Sequence, residues 1–208
     1  MLSQQNCPMV RSGFACAVIR EKLYLFGGRF SDQRPFTCME IFDTIEQRWT
    51  ASQESLAENK TEHTMDAVDN FLVLFGGYEG QRLYNDLRLF NVSTSKWINI
   101  SPPGKSQAPS HRYGHSSLVL RDGLIIFGGI DKQKPLNDLW RFCFVKGLWT
   151  PVKYTGIVSP LFRSTLVEAA NGLLIMGGAK GFQVDSSQSR NTATSSTSSI
   201  WKKIRLAR

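Results

Sequence analysis

The 208-residue sequence is poor in the residues that most often build catalytic and metal centres. It contains three histidines and four cysteines. The cysteines show no paired spacing of the kind that zinc sites use, and they lie in or beside predicted strands: they are Cys7, Cys16, Cys38 and Cys143. We therefore expect no resident metal or cofactor, and we interpret the cysteines as small apolar residues.

Long apolar runs and targeting signals are also missing from the sequence. No apolar run approaches the roughly 18 residues of a membrane-spanning helix. The N-terminal residues lack the charged start and the apolar stretch of a signal peptide. From the sequence we expect a cytoplasmic protein without a membrane span, with the nucleus as the alternative location.

The formal charge of +8 is unevenly distributed. Residues 1–100 carry 10 basic and 12 acidic side chains, a balance of −2, whereas residues 101–184 carry 10 and 4, a balance of +6. The remaining 24 residues carry 5 and 1, a balance of +4. A basic second half suits an acidic protein surface, phospholipid or nucleic acid, and charge alone does not choose among these partners.

Four similar segments, each an apolar run closed by a glycine pair, organise the sequence. Their first glycines are Gly27, Gly76, Gly128 and Gly177, which lie 49, 52 and 49 residues apart. A period of this length is typical of repeat architectures. An apolar run without alternation predicts a strand buried on both faces, and the glycines predict a tight turn after it.

Other residues keep a constant distance from these glycines. A basic residue stands 16 positions before the first glycine, a histidine or phenylalanine 13 before it, an aspartate 10 after it and a tryptophan 21 or 22 after it. The residues concerned are Arg11, Lys60 and Arg112; Phe14, His63 and His115; Asp86 and Asp138; and Trp49, Trp97 and Trp149. One repeat is thus predicted to form four short strands.

This arrangement resembles the kelch repeat. The third repeat carries the resemblance in Arg112-Tyr113-Gly114-His115-Ser116, Phe127-Gly128-Gly129, Asn137-Asp138-Leu139-Trp140 and Trp149. The resemblance covers about residues 11–205 and implies an all-β fold, a kelch-type β-propeller of about four four-stranded blades with a degenerate last blade.

The repeats set the expected domain organisation. We expect an N-terminal extension at 1–10, a kelch array at 11–184, a Ser/Thr-rich flexible segment at 185–199, and an outer strand with a basic tail at 200–208. Within the array the repeats fall at about 11–52, 60–100, 112–152 and 161–205. Since propellers close with roughly four to eight blades and the fourth repeat has Leu161 at its basic position, we expect an incomplete array or one completed by another chain.

The loops after the glycine pairs are the predicted protein-binding surface. The strand order of a kelch blade places these loops on the same face as the recurring basic residues. Arginine, lysine and aromatic side chains there suit an acidic peptide, through charge-assisted hydrogen bonds and aromatic contacts. The predicted binding residues are Arg29, Phe30, Arg34, Tyr78, Arg82, Lys132, Lys134 and Lys180.

The recurring basic residues and histidines admit two interpretations. Either they are framework residues that hold neighbouring loops through hydrogen bonds, or they add charge to the binding face. The residues concerned are Arg11, Lys60, Arg112, His63 and His115. The tryptophans are interpreted as packing residues within the blades.

The resemblance leaves a catalytic alternative open. The nitrile-specifier group of kelch proteins holds iron with Glu-x-x-x-Asp-x-x-x-His, and Glu62 and Asp66 have the first spacing here, but Asn70 stands at the histidine position. The alternative function is therefore a kelch-type enzyme handling a sugar or a metal-dependent small-molecule substrate, similar to sialate epimerases or nitrile specifiers.

The preferred prediction is a non-catalytic protein-interaction scaffold or adaptor. Its partner is expected to be a protein with an acidic segment, and self-association or blade completion by another chain is a further expected interaction. Nucleic-acid binding is disfavoured because the basic tail is not accompanied by a recognition helix or an aromatic RNA motif.

Overall fold

A computed structural model of the chain describes residues 8–30, 36–103, 107–170, 172–180, 182–184, 191–193 and 201–206. This part of the chain is built from strands and turns, without a helix. The chain divides into two compact units, Met1–Ser101 and Pro102–Arg208. Each unit contains two four-stranded antiparallel sheets, which we call blades 1 to 4 in chain order.

Unit 1 contains blades 1 and 2. In blade 1 the strands follow chain order, β1-β2-β3-β4. They are β1 (Ala15–Ile19), β2 (Lys22–Phe26), β3 (Cys38–Asp43) and β4 (Arg48–Ser55). The strands that follow are β5 (Thr64–Val68), β6 (Phe71–Phe75), β7 (Tyr78–Glu79), β8 (Arg82–Leu83), β9 (Leu87–Asn91) and β10 (Lys96–Ile100). Blade 2 has the order β5-β6-β9-β10, and β7 and β8 form a separate short hairpin.

Unit 2 contains blades 3 and 4. Blade 3 consists of β11 (Ser116–Leu120), β12 (Gly123–Phe127), β13 (Leu139–Cys143) and β14 (Leu148–Pro151), paired in that order. The remaining strands are β15 (Tyr154–Thr155), β16 (Phe162–Ala169), β17 (Gly172–Ala179), β18 (Phe182–Val184), β19 (Asn191–Ala193) and β20 (Trp201–Leu206). Blade 4 has the order β16-β17-β20-β15.

The last strand of blade 4 differs from the sequence-based expectation. An outer strand was expected at residues 200–208, but β20 pairs directly with β17, from Leu173↔Ile204 to Met176↔Trp201, and takes the third position. The outer position is filled by β15, which precedes β16 in the chain and pairs with Arg205 and Leu206. Such pairing between distant segments leaves no periodic signal in the sequence.

The expected flexible segment at 185–199 lies largely outside the described residues. Within it, β19 pairs with β18 as a two-stranded sheet.

The turns between the third and fourth strands have a local chemical cause. The side chain of Asp43 accepts hydrogen bonds from the backbone N–H groups of Ile45 and Glu46, both at 3.0 Å. Asn91 makes the same kind of turn in blade 2, with Ser93 and Thr94 as donors. Short Asp and Asn side chains favour this geometry because they replace a backbone acceptor at a chain reversal.

The glycine-terminated strands β6 and β12 are buried on both faces, as predicted, whereas β17 alternates between buried and partly exposed residues. In β6, residues 72–75 are fully buried, and in β12 residues 124–127 are at most 1% exposed. The glycine pair that follows allows a close approach between blades 3 and 4. Gly128 has a φ of 63°, and a Cβ atom there would lie 2.5 Å from the carbonyl oxygen of Leu161. A larger residue at this position would separate the two blades.

Candidate functional site

Arg112 is fully buried and bonds three separate segments of blade 3. Its guanidinium donates to both carboxylate oxygens of Asp138, at 2.7 and 2.8 Å, and to the carbonyl oxygen of Gly128 at 3.0 Å. Its Nε donates to the carbonyl oxygen of Ser110 at 3.1 Å. The side chain therefore ties the segment before β11 to the glycine turn and to the start of β13, and we call the Arg112–Asp138 pair the blade 3 clamp.

Arg112 and Trp140 determine the charge state of Asp138. Burial acts to raise the pKa of Asp138, but the hydrogen bonds and the charge of Arg112, with the indole N–H of Trp140, outweigh it. The pKa of Asp138 thus lies below its usual value, and its carboxylate is ionised at neutral pH.

Lys60 occupies the equivalent position in blade 2. It is also fully buried, and its ammonium group pairs with Asp86, which in turn accepts from Nε of Arg88 at 2.7 Å. Burial lowers the pKa of Lys60 despite the opposing effect of Asp86. Burial acts to raise the pKa of Asp86, but Lys60 and Arg88 outweigh it and leave that pKa below its usual value. We call Lys60–Asp86 the blade 2 clamp.

Blade 1 has a clamp whose acid could not be identified from the repeat pattern. Arg11 pairs with Glu40 at 2.6 Å, and its guanidinium lies 3.5 Å from the centre of the Phe36 ring. Glu40 lies within β3, three residues beyond Thr37, which occupies the repeat position of Asp86 and Asp138. The longer glutamate side chain reaches the cation from a different register position.

Blade 4 has no clamp in its described residues. Leu161 stands at the basic position, is 1% exposed and packs in an apolar cluster with Val158 and Leu166. Its carbonyl oxygen accepts from the N–H of Gly129 at 2.8 Å. The carbonyl of Lys60 accepts from Gly28 in the same way at 2.9 Å, so this backbone link between blades is independent of the side chain.

The two repeating histidines are buried, each 5% exposed. The ring of His63 packs edge-on against Phe26 with the ring centres 5.6 Å apart. Burial, with a smaller effect from the charge of Lys60, lowers the pKa of His63 to about 3. His63 is therefore neutral at physiological pH, and His63 and His115 are not accessible to a ligand.

Three tryptophans pack against phenylalanines of the neighbouring strand in their own blades. The pairs are directly opposite in register, and their ring centres are 5.1 to 5.2 Å apart: Phe42–Trp49, Phe90–Trp97 and Phe142–Trp149. Trp97 also contacts Phe26 of blade 1 at 5.0 Å. These side chains serve packing within and between blades.

The segment after each glycine pair lies beside the segment that contains the basic position. Isolated backbone bridges join them in three blades: Ser12↔Arg29, Thr61↔Tyr78 and Tyr113↔Ile130. In blades 1 to 3 the loops after the glycines therefore lie beside the clamps. We call the exposed residues of these loops, and of the corresponding loop in blade 4, the loop face of each unit.

Most of the predicted binding residues are exposed on the loop faces. Phe30 is 47% exposed, and Tyr78 is partly buried in β7. The exposed cations are Arg29 and Arg82 in unit 1 and Lys132, Lys134 and Lys180 in unit 2. The prediction at Arg34 lies outside the described residues.

Glu79 and Asp131, acids of the described loop residues, are already engaged within the fold. Glu79 accepts hydrogen bonds from the backbone N–H of Asn59 and the hydroxyl of Tyr84, both at 3.0 Å. Burial, together with this bond to Glu79, raises the pKa of Tyr84 to about 12, so the hydroxyl keeps its proton. In unit 2, Asp131 accepts from the backbone N–H groups of Gln133 and Lys134 at 2.7 and 2.8 Å.

The three positions of the iron-binding spacing lie in different local elements. Asp66 lies in the middle of β5, whereas Glu62 lies before that strand and Asn70 lies in the turn after it. Asn70 accepts a hydrogen bond from Arg20 at 3.1 Å instead. Across the described ranges, no group of three or more His, Cys, Asp or Glu side chains could hold a metal ion. Within those same ranges no helix is long and apolar enough to cross a membrane.

Comparison with known proteins decides the family. A model of the KLHDC2/KLHL20/DRC7 Kelch-repeats domain matches residues 1–178. The chain belongs to the kelch-repeat family. Its four-stranded antiparallel sheets are kelch blades of the β-propeller class, and kelch repeats generally form protein-interaction domains.

Several curated relatives share this repeat region. The chain is 26% identical to kelch domain-containing protein 1 of Mus musculus, over 83% of this chain and 49% of that protein. It is 32% identical to the leucine-zipper-like transcriptional regulator 1 homolog of Drosophila melanogaster, over 66% and 15%. It is 26% identical to an N-(sulfonatooxy)prop-2-enimidothioate sulfolyase of Thlaspi arvense, over 80% and 54%. The chain spans less than two thirds of the length of each of these relatives.

Proposed function

We propose that this kelch array is a non-catalytic protein-interaction module, a scaffold or adaptor, whose loop faces bind acidic segments of partner proteins. The proposal rests on the contrast between the buried cations of the clamps and the exposed cations of the loops. The buried cations are neutralised by acids of their own blade. The exposed cations remain available to a partner.

The charge balance of the loop faces carries the proposal. Within the described part of the chain, the side chains of Arg29, Arg82, Lys132, Lys134 and Lys180 form no ion pair. The nearby acids Glu79 and Asp131 already accept two hydrogen bonds each from the protein. A carboxylate of a partner could therefore bind these cations without displacing an internal acid, and charge-assisted hydrogen bonds are the stronger class.

Aromatic side chains accompany the cations in unit 1. Phe30 is 47% exposed, and the guanidinium of Arg82 lies 4.8 Å from the ring centre of Tyr84. Stacking on a rigid ring limits the conformations of the arginine, so less entropy is lost when it binds a ligand. An acidic peptide with aromatic residues is the ligand chemistry that fits unit 1 best.

Charge reversal on each loop face tests the proposal. The probe is a short fluorescein-labelled peptide of alternating glutamate and tyrosine, and its dissociation constant is measured by fluorescence anisotropy. The variants are Arg29→Glu with Arg82→Glu for unit 1, and Lys132→Glu with Lys134→Glu for unit 2. Each pair should raise the dissociation constant at least about tenfold, which corresponds to ~1.4 kcal/mol, because repulsion replaces an ion pair.

A matched control separates the loop faces from general charge attraction. Lys96→Glu with Lys146→Glu changes the net charge by the same amount at exposed positions on β10 and in the β13–β14 turn. This control should bind the peptide with no more than about a twofold loss, and all three variants should keep the wild-type melting temperature. Equal losses in the control and in the loop-face variants would refute the assignment.

The proposal also places the chain in a reducing compartment, the cytoplasm, with the nucleus as the alternative. Cys16, Cys38 and Cys143 are free thiols in the fold, which suits such a compartment. Fractionation of cells that express the protein, followed by immunoblotting, tests this part of the proposal. Recovery from the culture medium would contradict it.

A further inference from the structure

Each blade has two faces that make different packing contacts. The front face of a blade is the face that carries the residue 13 positions before the first glycine of its repeat, and the rear face is the opposite one. In unit 1 the rear face of blade 1, with Ala15, Ala17 and Phe26, packs on the front face of blade 2, with Met65 and Leu74. In unit 2 the rear face of blade 3 packs in the same way on the front face of blade 4. Each unit thus contains one copy of the same rear-to-front contact.

Part of the front face of blade 1 is apolar and open to solvent. Phe14 is 42% and Val18 is 60% exposed. Leu23 is partly exposed, whereas Leu72, at the same repeat position in blade 2, is fully buried. Phe42 is likewise partly exposed, whereas its counterpart Phe90 in blade 2 is fully buried. Blade 1 therefore presents the side chains of a front face without the rear face that covers its counterpart in blade 2.

The rear face of blade 4 also has partly exposed apolar side chains. Leu174 and Met176 are partly exposed, whereas Ile125 and Phe127, at the same repeat positions in blade 3, are 1% and 0% exposed. Val167 is partly exposed on the same face. One chain therefore offers both halves of the contact that it already forms once in each unit.

We propose that a second copy of this chain binds here, with the rear face of blade 4 of one copy packed on the front face of blade 1 of the other. Such a contact would cover the front face of blade 1 in one copy and the rear face of blade 4 in the other. This interface is separate from the loop faces, so it goes beyond the proposed peptide binding. The two sites can be tested independently.

The contact between blades 3 and 4 supplies the geometry for a cross-link. Ser116, on the rear face of blade 3, lies with its Oγ 2.7 Å from the Oγ of Ser164, on the front face of blade 4. The same repeat positions are Thr165 on the rear face of blade 4 and Phe14 on the front face of blade 1. Cysteines at 14 and 165 should therefore meet between two copies at disulfide distance.

The experiment uses the whole chain with Phe14→Cys and Thr165→Cys, in a Cys16→Ser background that removes the exposed thiol nearby. We expect mild oxidation to give a covalent dimer of twice the 23.4 kDa chain mass on a non-reducing gel. Light scattering before oxidation should give the same mass. Ser116→Cys with Ser164→Cys, which should form a disulfide within one chain, verifies the oxidation conditions, and each single variant should remain uncross-linked.

Two outcomes would overturn the proposal. A disulfide between residues 14 and 165 in a species of single-chain mass would mean that the two faces meet within one chain. No disulfide at these positions, under conditions that oxidise the 116–164 control, would mean that the faces do not meet.

A surface substitution provides a test that needs no cross-link. Val18→Arg should raise the dissociation constant of the dimer at least about tenfold, because it places a charge in the contact. The matched control is Val145→Arg, at an 82% exposed position outside both faces, and it should leave the dimer intact. Equal dimerisation of the two variants would also refute the interface.

Discussion

Blades 3 and 4 belong to one unit and fill the same repeat position with opposite chemistry. In blade 3 this position holds Arg112, which is fully buried and pairs with the partly exposed Asp138. In blade 4 it holds Leu161, buried in an apolar cluster. The backbone link that this position makes to the preceding blade is the same with lysine in blade 2 and leucine in blade 4. The comparison shows that a kelch blade tolerates either a complete ion pair or an apolar residue at this position.

The largest expected effect comes from replacing the cation of the blade 3 clamp by leucine while its acid remains. Arg112→Leu leaves the partly buried carboxylate of Asp138 and the carbonyl of Gly128 without their main donor. We expect the free energy of unfolding to fall by about 3 kcal/mol, the low end of the cost of breaking a buried pair, because the Asp138 side chain is 40% exposed. Urea unfolding followed by tryptophan fluorescence measures this change.

A second substitution sharpens the comparison. Arg112→Leu with Asp138→Leu removes both charges and approaches the apolar solution of blade 4, so the double variant should recover part of the lost stability. An equal or greater loss in the double variant would show that blade 3 depends on the ion pair itself.

A smaller effect is expected at the position 13 residues before the first glycine, where blade 1 has Phe14 and blade 2 has His63. The pKa of His63 is lowered from about 6.5 to about 3, so between these values the unfolded chain binds a proton that the folded chain does not. Stability from this group is complete above pH 6.5 and is lost as the pH falls towards 3. When the pH falls from 6.5 to 4.5, the free energy of unfolding of His63→Phe should therefore decrease by roughly 2 kcal/mol less than that of the wild type.

The control for this prediction places a histidine at an exposed position outside both packing faces. Val145→His lies where the side chain is 82% exposed, so it should add little pH dependence. Urea unfolding at several pH values measures all three proteins. Parallel pH profiles for wild type and His63→Phe would refute the role of His63.

Features with a strict spacing could be predicted from the sequence. The glycine turns, the strand before each of them and the packing tryptophans recur at nearly constant distances because each is set by local register. The acid of the blade 1 clamp could not be predicted, since Glu40 reaches Arg11 from a shifted position. The place of β20 in blade 4 was missed because strand order there depends on pairing between distant segments.

For the candidate site, the sequence located the loops but could not separate buried cations from exposed ones. Arg112 and Lys132 are both basic residues predicted at one face, yet only the structure shows that Arg112 is fully buried against Asp138 while Lys132 is exposed. Burial depends on whether an acid of the same blade reaches the cation, and a residue pattern does not contain that distance.

The central claim is that buried cations hold the blades together while exposed loop cations bind the partner. Hydrogen–deuterium exchange of the chain, with and without the glutamate–tyrosine peptide, tests it most directly. The account predicts slower exchange in the loops at residues 78–83 and 130–136, and unchanged exchange in the β3–β4 and β13–β14 turns. Protection confined to those turns, or no protection in the loops at saturating peptide, would contradict the account.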